Sequence, residues 1–119
     1  MAQEVEYRVH VLQDAVRLFR GCDENDLPGS MRSNYEQGIQ RNPSELRSTV
    51  LHMAVSMFDN VDTLRALIAR FPYIGTAIAV VELQPGSGVC RANTGSVGHW
   101  SVWGRPDELA GFVVDLVGI

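Results

Sequence analysis

A chain of 119 residues, 45% apolar and 20% charged, is expected to form a single soluble domain spanning 1–119 around one core. Its net charge of −4 and its 10 scattered basic residues disfavour a nucleic-acid partner. Those basic residues are all arginine, which excludes Schiff-base lysine chemistry, pyridoxal-phosphate attachment and a P-loop lysine.

No apolar run approaches the roughly 20 residues of a membrane span, so no membrane partner is expected. Met1-Ala2-Gln3-Glu4 has neither the basic start nor the apolar stretch of a signal peptide, which points to a cytoplasmic protein. Cys22 and Cys90 then read as free thiols. With His10, His52 and His99 they show no ligand spacing, and no metal is expected.

The first strand is predicted from Ala15 to Arg20, with Val16, Leu18 and Arg20 on one face and Gly21 ending it. At that end Arg20 is placed either to reach into a cleft or to pair with one of the acids that follow. Gly21 to Gly29 reads as loop. Its Asp23-Glu24-Asn25-Asp26 run opens like a calcium loop but lacks the glycine and the final glutamate such a loop needs, which leaves an acidic solvated loop.

Asn34 with Gln37 reads as a capping box for a short helix stopped by Gly38, and Asn42-Pro43-Ser44-Glu45 as a second helix start. Thr49-Val50 weaken that helix and lead into a strand from about His52 to Phe58. On it Ala54, Ser56 and Phe58 share one face, and Met53, Val55 and Met57 the other.

Asp59 or Asn60 caps the longest predicted helix, which ends near Phe71 because Pro72 follows. Val61, Leu64, Leu67, Ile68 and Phe71 make its buried stripe. Thr76 to Leu83 is apolar on both faces, as a covered central strand is. A turn at Pro85–Gly88, a short strand over Val89–Ala92, and strands at His99–Trp103 and Gly111–Val117 complete the pattern. In the His99 strand, His99, Ser101 and Trp103 share a face while Trp100 and Val102 point into a core. A polar pair beside aromatics suits a small-molecule cleft, and equally an edge strand with anchoring tryptophans. The fold class is α+β, a mostly antiparallel sheet with packed helices.

Four segments occur in a telling order: Leu18-Phe19-Arg20-Gly21, Arg32-Ser33-Asn34-Tyr35, Ala54-Val55-Ser56-Met57-Phe58, and His99-Trp100-Ser101-Val102-Trp103 through Pro106-Asp107 to Phe112-Val113-Val114. Over about residues 15–117 this order resembles the ADP-ribosyltransferase fold, especially small bacterial members such as the rifamycin-modifying enzymes. The resemblance implies a split sheet around an NAD cleft, with NAD as substrate. Its implied catalytic residues are His99, Arg20 and Ser56. Arg20 would hold a phosphate or ribose beside Gly21, and Ser56 would bond to Arg20 or the ribose. Asn34, Phe58 and Ser101 would contact NAD, Tyr35 would stack on a ring and Trp103 would wall the pocket. His99 would stand at the ribose C1 side as a base or positioning group.

One departure bears on activity. The family residue matching His99 is usually a glutamate, whose fixed negative charge opposes the cation that develops as nicotinamide leaves. A histidine supplies no such charge, although it serves as a general base near neutral pH. Either the chemistry differs, or Glu82 or Glu108 takes the role, or transfer is lost. The first reading is therefore an enzyme that transfers ADP-ribose to an unknown small-molecule or protein acceptor, or that cleaves NAD. The alternative is a non-catalytic scaffold that binds a partner protein or small ligand. A third is an enzyme of another class using His99 with Ser101 or Ser56, which no Gly-x-Ser-x-Gly elbow supports. The oligomeric state is left open by the sequence.

Overall fold

The computed structural model describes residues 8–39 and 49–119. Its strands are β1 (Val9–Val11), β2 (Val16–Cys22), β3 (Val55–Phe58), β4 (Ala77–Leu83), β5 (Cys90–Asn93), β6 (His99–Trp103) and β7 (Val113–Val117). They form one antiparallel sheet in the order β1-β5-β6-β3-β2-β4-β7. Its helices are α1 (Leu27–Ser30), α2 (Thr49–His52), α3 (Val61–Arg70) and α4 (Pro106–Gly111), with a 3-10 turn at Pro72–Ile74. None of the described helices is long and apolar enough to cross a membrane.

The sheet is zipped unevenly. β2 and β4 pair along their whole length, from Val16 opposite Leu83 to Cys22 opposite Ala77, and β3 pairs with β6 from Val55 to Phe58. Between β2 and β3 the only partnered residues are Phe19 and Phe58. Continued in register, Gly21 would face Ser56 and Cys22 would face Val55, but the strands part first. Two well-laddered blocks, β1-β5-β6-β3 and β2-β4-β7, are therefore joined by a single rung.

Each face of the sheet has its own core. On one, Leu18, Val55, Met57, Val81 and Val102 pack with Met31 and with Leu109 of α4. On the other, Phe58 and Ile78 pack against Leu64 and Ile68 of α3, with Phe19, Val61 and Leu67 at the margin. Burying Leu64 and Ile68 contributes roughly 1.5–3 kcal/mol each, and this holds α3 to the sheet. The helix begins where expected, because the Asn60 side chain accepts from the Asp62 and Thr63 amides at 2.9 and 3.1 Å. β4 is covered on both faces, which explains its unbroken apolar run.

Several local expectations are corrected. The capping box is made by Ser33 and Glu36: the Glu36 amide donates to Ser33 Oγ at 3.2 Å and the Ser33 amide to Glu36 Oε1 at 3.0 Å. Asn34 and Gln37 therefore do not form it, and the segment is a turn rather than a helix. The expected loop from Gly21 to Gly29 contains the start of α1, capped by Asp26 through the Gly29 amide at 2.9 Å. Thr49 and Val50 sit inside α2, so the following strand starts at Val55 rather than His52. Pro106-Asp107 opens α4, a helix not among the expected elements, with proline and two acids in its first turn, where the exposed amides favour them. Edge strand β1 is not among the expected elements, although Val9-His10-Val11 alternates apolar and polar; all three residues are exposed. The helix start at Asn42 lies outside the described residues.

The 3-10 turn lies directly on the end of β2. A Cβ on Gly21 would sit 2.7 Å from the Ile74 carbonyl oxygen, and one on Gly75 would sit 2.5 Å from the Cys22 amide nitrogen. Neither obstacle is a flexible side chain. Gly21→Ala is thus expected to cost about 1–3 kcal/mol in urea unfolding. Gly111→Ala, in open space on α4, should be neutral or stabilising by up to about 1 kcal/mol. Equal midpoints for the two variants would contradict this close approach.

Candidate functional site

Where β2 and β3 part, Arg20 takes over the linkage. Its Nε donates to the Ser30 carbonyl and its Nη1 to the Ser56 carbonyl, each at 2.7 Å. Among the described residues no carboxylate pairs with it. The nearby acids are engaged locally: Asp23 Oδ1 accepts from the Asn25 amide and Asp26 caps α1. The ion pair that the sequence left open is not formed. Burial without a counter-charge lowers the Arg20 guanidinium to about 10, against a smaller opposing effect from Cys22. A half-buried cation held by carbonyl dipoles has lost part of its hydration, and an anion in contact with it offsets that cost.

Arg20 lines a cleft of about 1330 Å³ that also takes in Gly21, Asn34, Ser56, Phe58 and His99. Three separate stretches of chain thus bring a guanidinium, a serine and an imidazole to one hollow. Their contacts differ from the expectation in detail. Ser56 meets Arg20 through its backbone carbonyl, and its side chain is exposed. Cys22, buried at 2% exposure, also contributes to the wall, and burial pushes its thiol pKa up.

His99 is fixed by two neighbours. Its ring meets the Phe58 ring edge-on at 5.2 Å, across the strand pair that places the two residues opposite each other. Its Nδ1 lies 2.7 Å from the Thr94 carbonyl oxygen and 3.1 Å from Thr94 Oγ1. A carbonyl oxygen only accepts, so Nδ1 carries a proton and Nε2 is the ring nitrogen turned away from Thr94. Thr94 Oγ1 in turn lies 2.8 Å from Ser101 Oγ, and both residues are buried.

The remaining candidates do not line this cleft. Ser101 shares the strand face of His99 as expected, but its hydroxyl is committed to Thr94 in the interior. Trp103 donates from Nε1 to the Val50 carbonyl at 2.8 Å and so anchors α2. Tyr35 stands exposed, its ring edge-on to His52 at 6.4 Å and its amide bonded to the His52 carbonyl. Glu82 pairs with Arg17 at 3.2 Å and Glu108 belongs to the first turn of α4, so neither carboxylate reaches the cleft beside His99. Among the described residues no group of three or more His, Cys, Asp or Glu side chains is arranged to hold a metal ion. Thr94 and the Ser30 carbonyl, both central to the geometry, carried no sequence signal, because each acts through a tertiary contact.

The buried hydroxyl pair gives a direct test. Thr94→Val and Ser101→Ala should each cost about 1–3 kcal/mol, since each strands the partner's polar group. The double variant should cost clearly less than the sum in a thermal or urea cycle; strict additivity would show that the two hydroxyls are not coupled. Compared with known proteins, the chain matches no family model, no curated protein and no solved structure.

Proposed function

We propose that this chain is an ADP-ribosyltransferase-like protein whose cleft binds NAD and splits it, passing ADP-ribose to a small-molecule or protein acceptor or to water. The observation that supports this most is Arg20: a half-buried guanidinium without a carboxylate partner among the described residues, spanning the parted strands to Ser56 and lining the same cleft as His99. A pyrophosphate supplies the missing counter-charge, and the planar fork of donors suits its oxygens. Nη2 is the guanidinium nitrogen not committed to a carbonyl, so it is the group offered to that anion.

In the reaction the bond from ribose C1 to nicotinamide breaks and its electron pair leaves with nicotinamide. The acceptor oxygen or nitrogen then bonds to C1, and its proton passes to Nε2 of His99, the ring nitrogen turned away from Thr94. The chain carries His99 where the transferases it resembles carry a glutamate, and a histidine lacks a fixed negative charge to oppose the positive charge at C1, so turnover should be slow compared with a glutamate-bearing site. That same feature favours a second reading, in which the cleft binds NAD or another small ligand without turnover.

Three measurements test the proposal. NAD should raise the melting temperature by mass action. Arg20→Lys should weaken NAD binding by at least about tenfold in calorimetry, because a point charge replaces neither fork nor span. His99→Glu should release nicotinamide faster than the parent chain. No thermal response to NAD would overturn the proposal, and binding without faster release in the glutamate variant would select the non-catalytic reading.

A further inference from the structure

The cleft runs across the sheet from β6, which begins at His99, past β3 and β2 to the turn that leads into β4. The Pro72–Ile74 turn lies on the end of β2, two strands beyond β6, so the two ends are at least about 10 Å apart. That is longer than one ring and its sugar, so the end remote from His99 has room for groups of its own.

At this far end α3 finishes with Arg70, Phe71 caps it, and the 3-10 turn presents Tyr73. Tyr73 is 86% exposed although it lines the cleft. Its mount is rigid: the Phe71 amide donates to the Leu67 carbonyl at 2.8 Å, the Ile74 amide to the Phe71 carbonyl at 3.1 Å, and the Thr76 amide to the Cys22 carbonyl at 3.0 Å. Gly75 is pressed against the Cys22 backbone. An aromatic ring left this far in water contributes little to folding, since almost none of its surface is buried.

Next to it, the Arg70 guanidinium lies over the Phe71 ring at 5.2 Å, and the Phe71 and Tyr73 ring centres are 6.0 Å apart. Arg70 is exposed, also lines the cleft, and forms no ion pair among the described residues. In a chain of net charge −4 the cleft thus presents, among the described residues, two arginines, Arg20 and Arg70, against the carboxylate of Asp23. An exposed aromatic face on a bonded turn, beside a guanidinium without an ion pair among the described residues, complements a flat ring by stacking and a phosphate by charge-assisted hydrogen bonds.

We infer that Arg70 and Tyr73 form a second ligand anchor, for a planar ring joined to a phosphate, at the end of the cleft remote from His99. An adenylate is its simplest occupant, as a free mononucleotide or as the far half of a dinucleotide. The anchor goes beyond the NAD proposal, because neither residue belongs to the segments that carry the family resemblance.

The test is calorimetric titration of the full chain with AMP, adenosine and ribose 5-phosphate. AMP should bind, and the two fragments should each bind at least about fivefold more weakly. Tyr73→Ala should weaken AMP about fivefold or more, while Tyr73→Phe should keep it. Arg70→Gln should weaken AMP but leave adenosine unchanged. Both side chains are exposed, so melting temperatures of the variants should match the parent. Failure of AMP to bind, or equal AMP affinity in parent, Tyr73→Ala and Arg70→Gln, overturns the anchor. NAD titrated into the same variants identifies the occupant: weakened NAD binding marks the far half of a dinucleotide, and unchanged NAD binding a separate mononucleotide. A chain that binds AMP but not NAD sinks the NAD proposal and leaves the anchor standing; the reverse sinks the anchor alone.

Discussion

The site depends on one side chain spanning a gap. β2 and β3 share a single rung, and beyond it the Arg20 guanidinium on β2 joins the blocks by bonding the Ser56 carbonyl of β3, while its Nε holds the Ser30 carbonyl at the end of α1. A lysine has neither the reach in two directions nor the flat fork to do this. An apolar residue would leave a strand carbonyl unpaired at a partly buried position, at the cost of a lost hydrogen bond to a charged donor, roughly 1.5–3 kcal/mol. The same residue that completes the sheet is therefore the one that electrifies the cleft.

That double duty explains why the hollow is where it is. Two laddered blocks meeting at one rung must diverge, because each keeps its own twist. α3 backs the opening on one face through Leu64 and Leu67, and the Pro72–Ile74 turn closes it where Gly21 and Gly75 allow backbone to touch backbone. His99 is held at the opposite side by Phe58 and Thr94. The result is an acidic protein with a locally cationic groove, a charge distribution that selects anionic ligands by field as well as by contact.

Much of the frame was legible in the sequence. The Asn60 cap, the stripe of α3, the doubly apolar β4 and the His99–Trp103 strand were all readable, because each is set by local periodicity or a capping side chain. So was the meeting of Arg20, Ser56 and His99, although only through the order of four short segments. What was not legible depends on contacts between distant residues. Ser101 sits at the right period but turns out to serve Thr94, since a strand face does not say whether its neighbours are solvent or core. Tyr35 and Trp103 were read as ligand walls and instead meet His52 and Val50 of α2. Nothing in the local sequence places Tyr73 at the cleft, because its turn is pinned to β2 only by tertiary contacts.

The most direct measurement of the central claim is nitrogen-resolved NMR of the Arg20 guanidinium. A cation fixed between two carbonyls should give its own slowly exchanging Nε–H signal and hindered rotation at Nη1, with the Nη2 signals moving when NAD is added. A single averaged guanidinium signal, like that expected of the exposed Arg105 and indifferent to NAD, would contradict both the bridge and the anion site built on it.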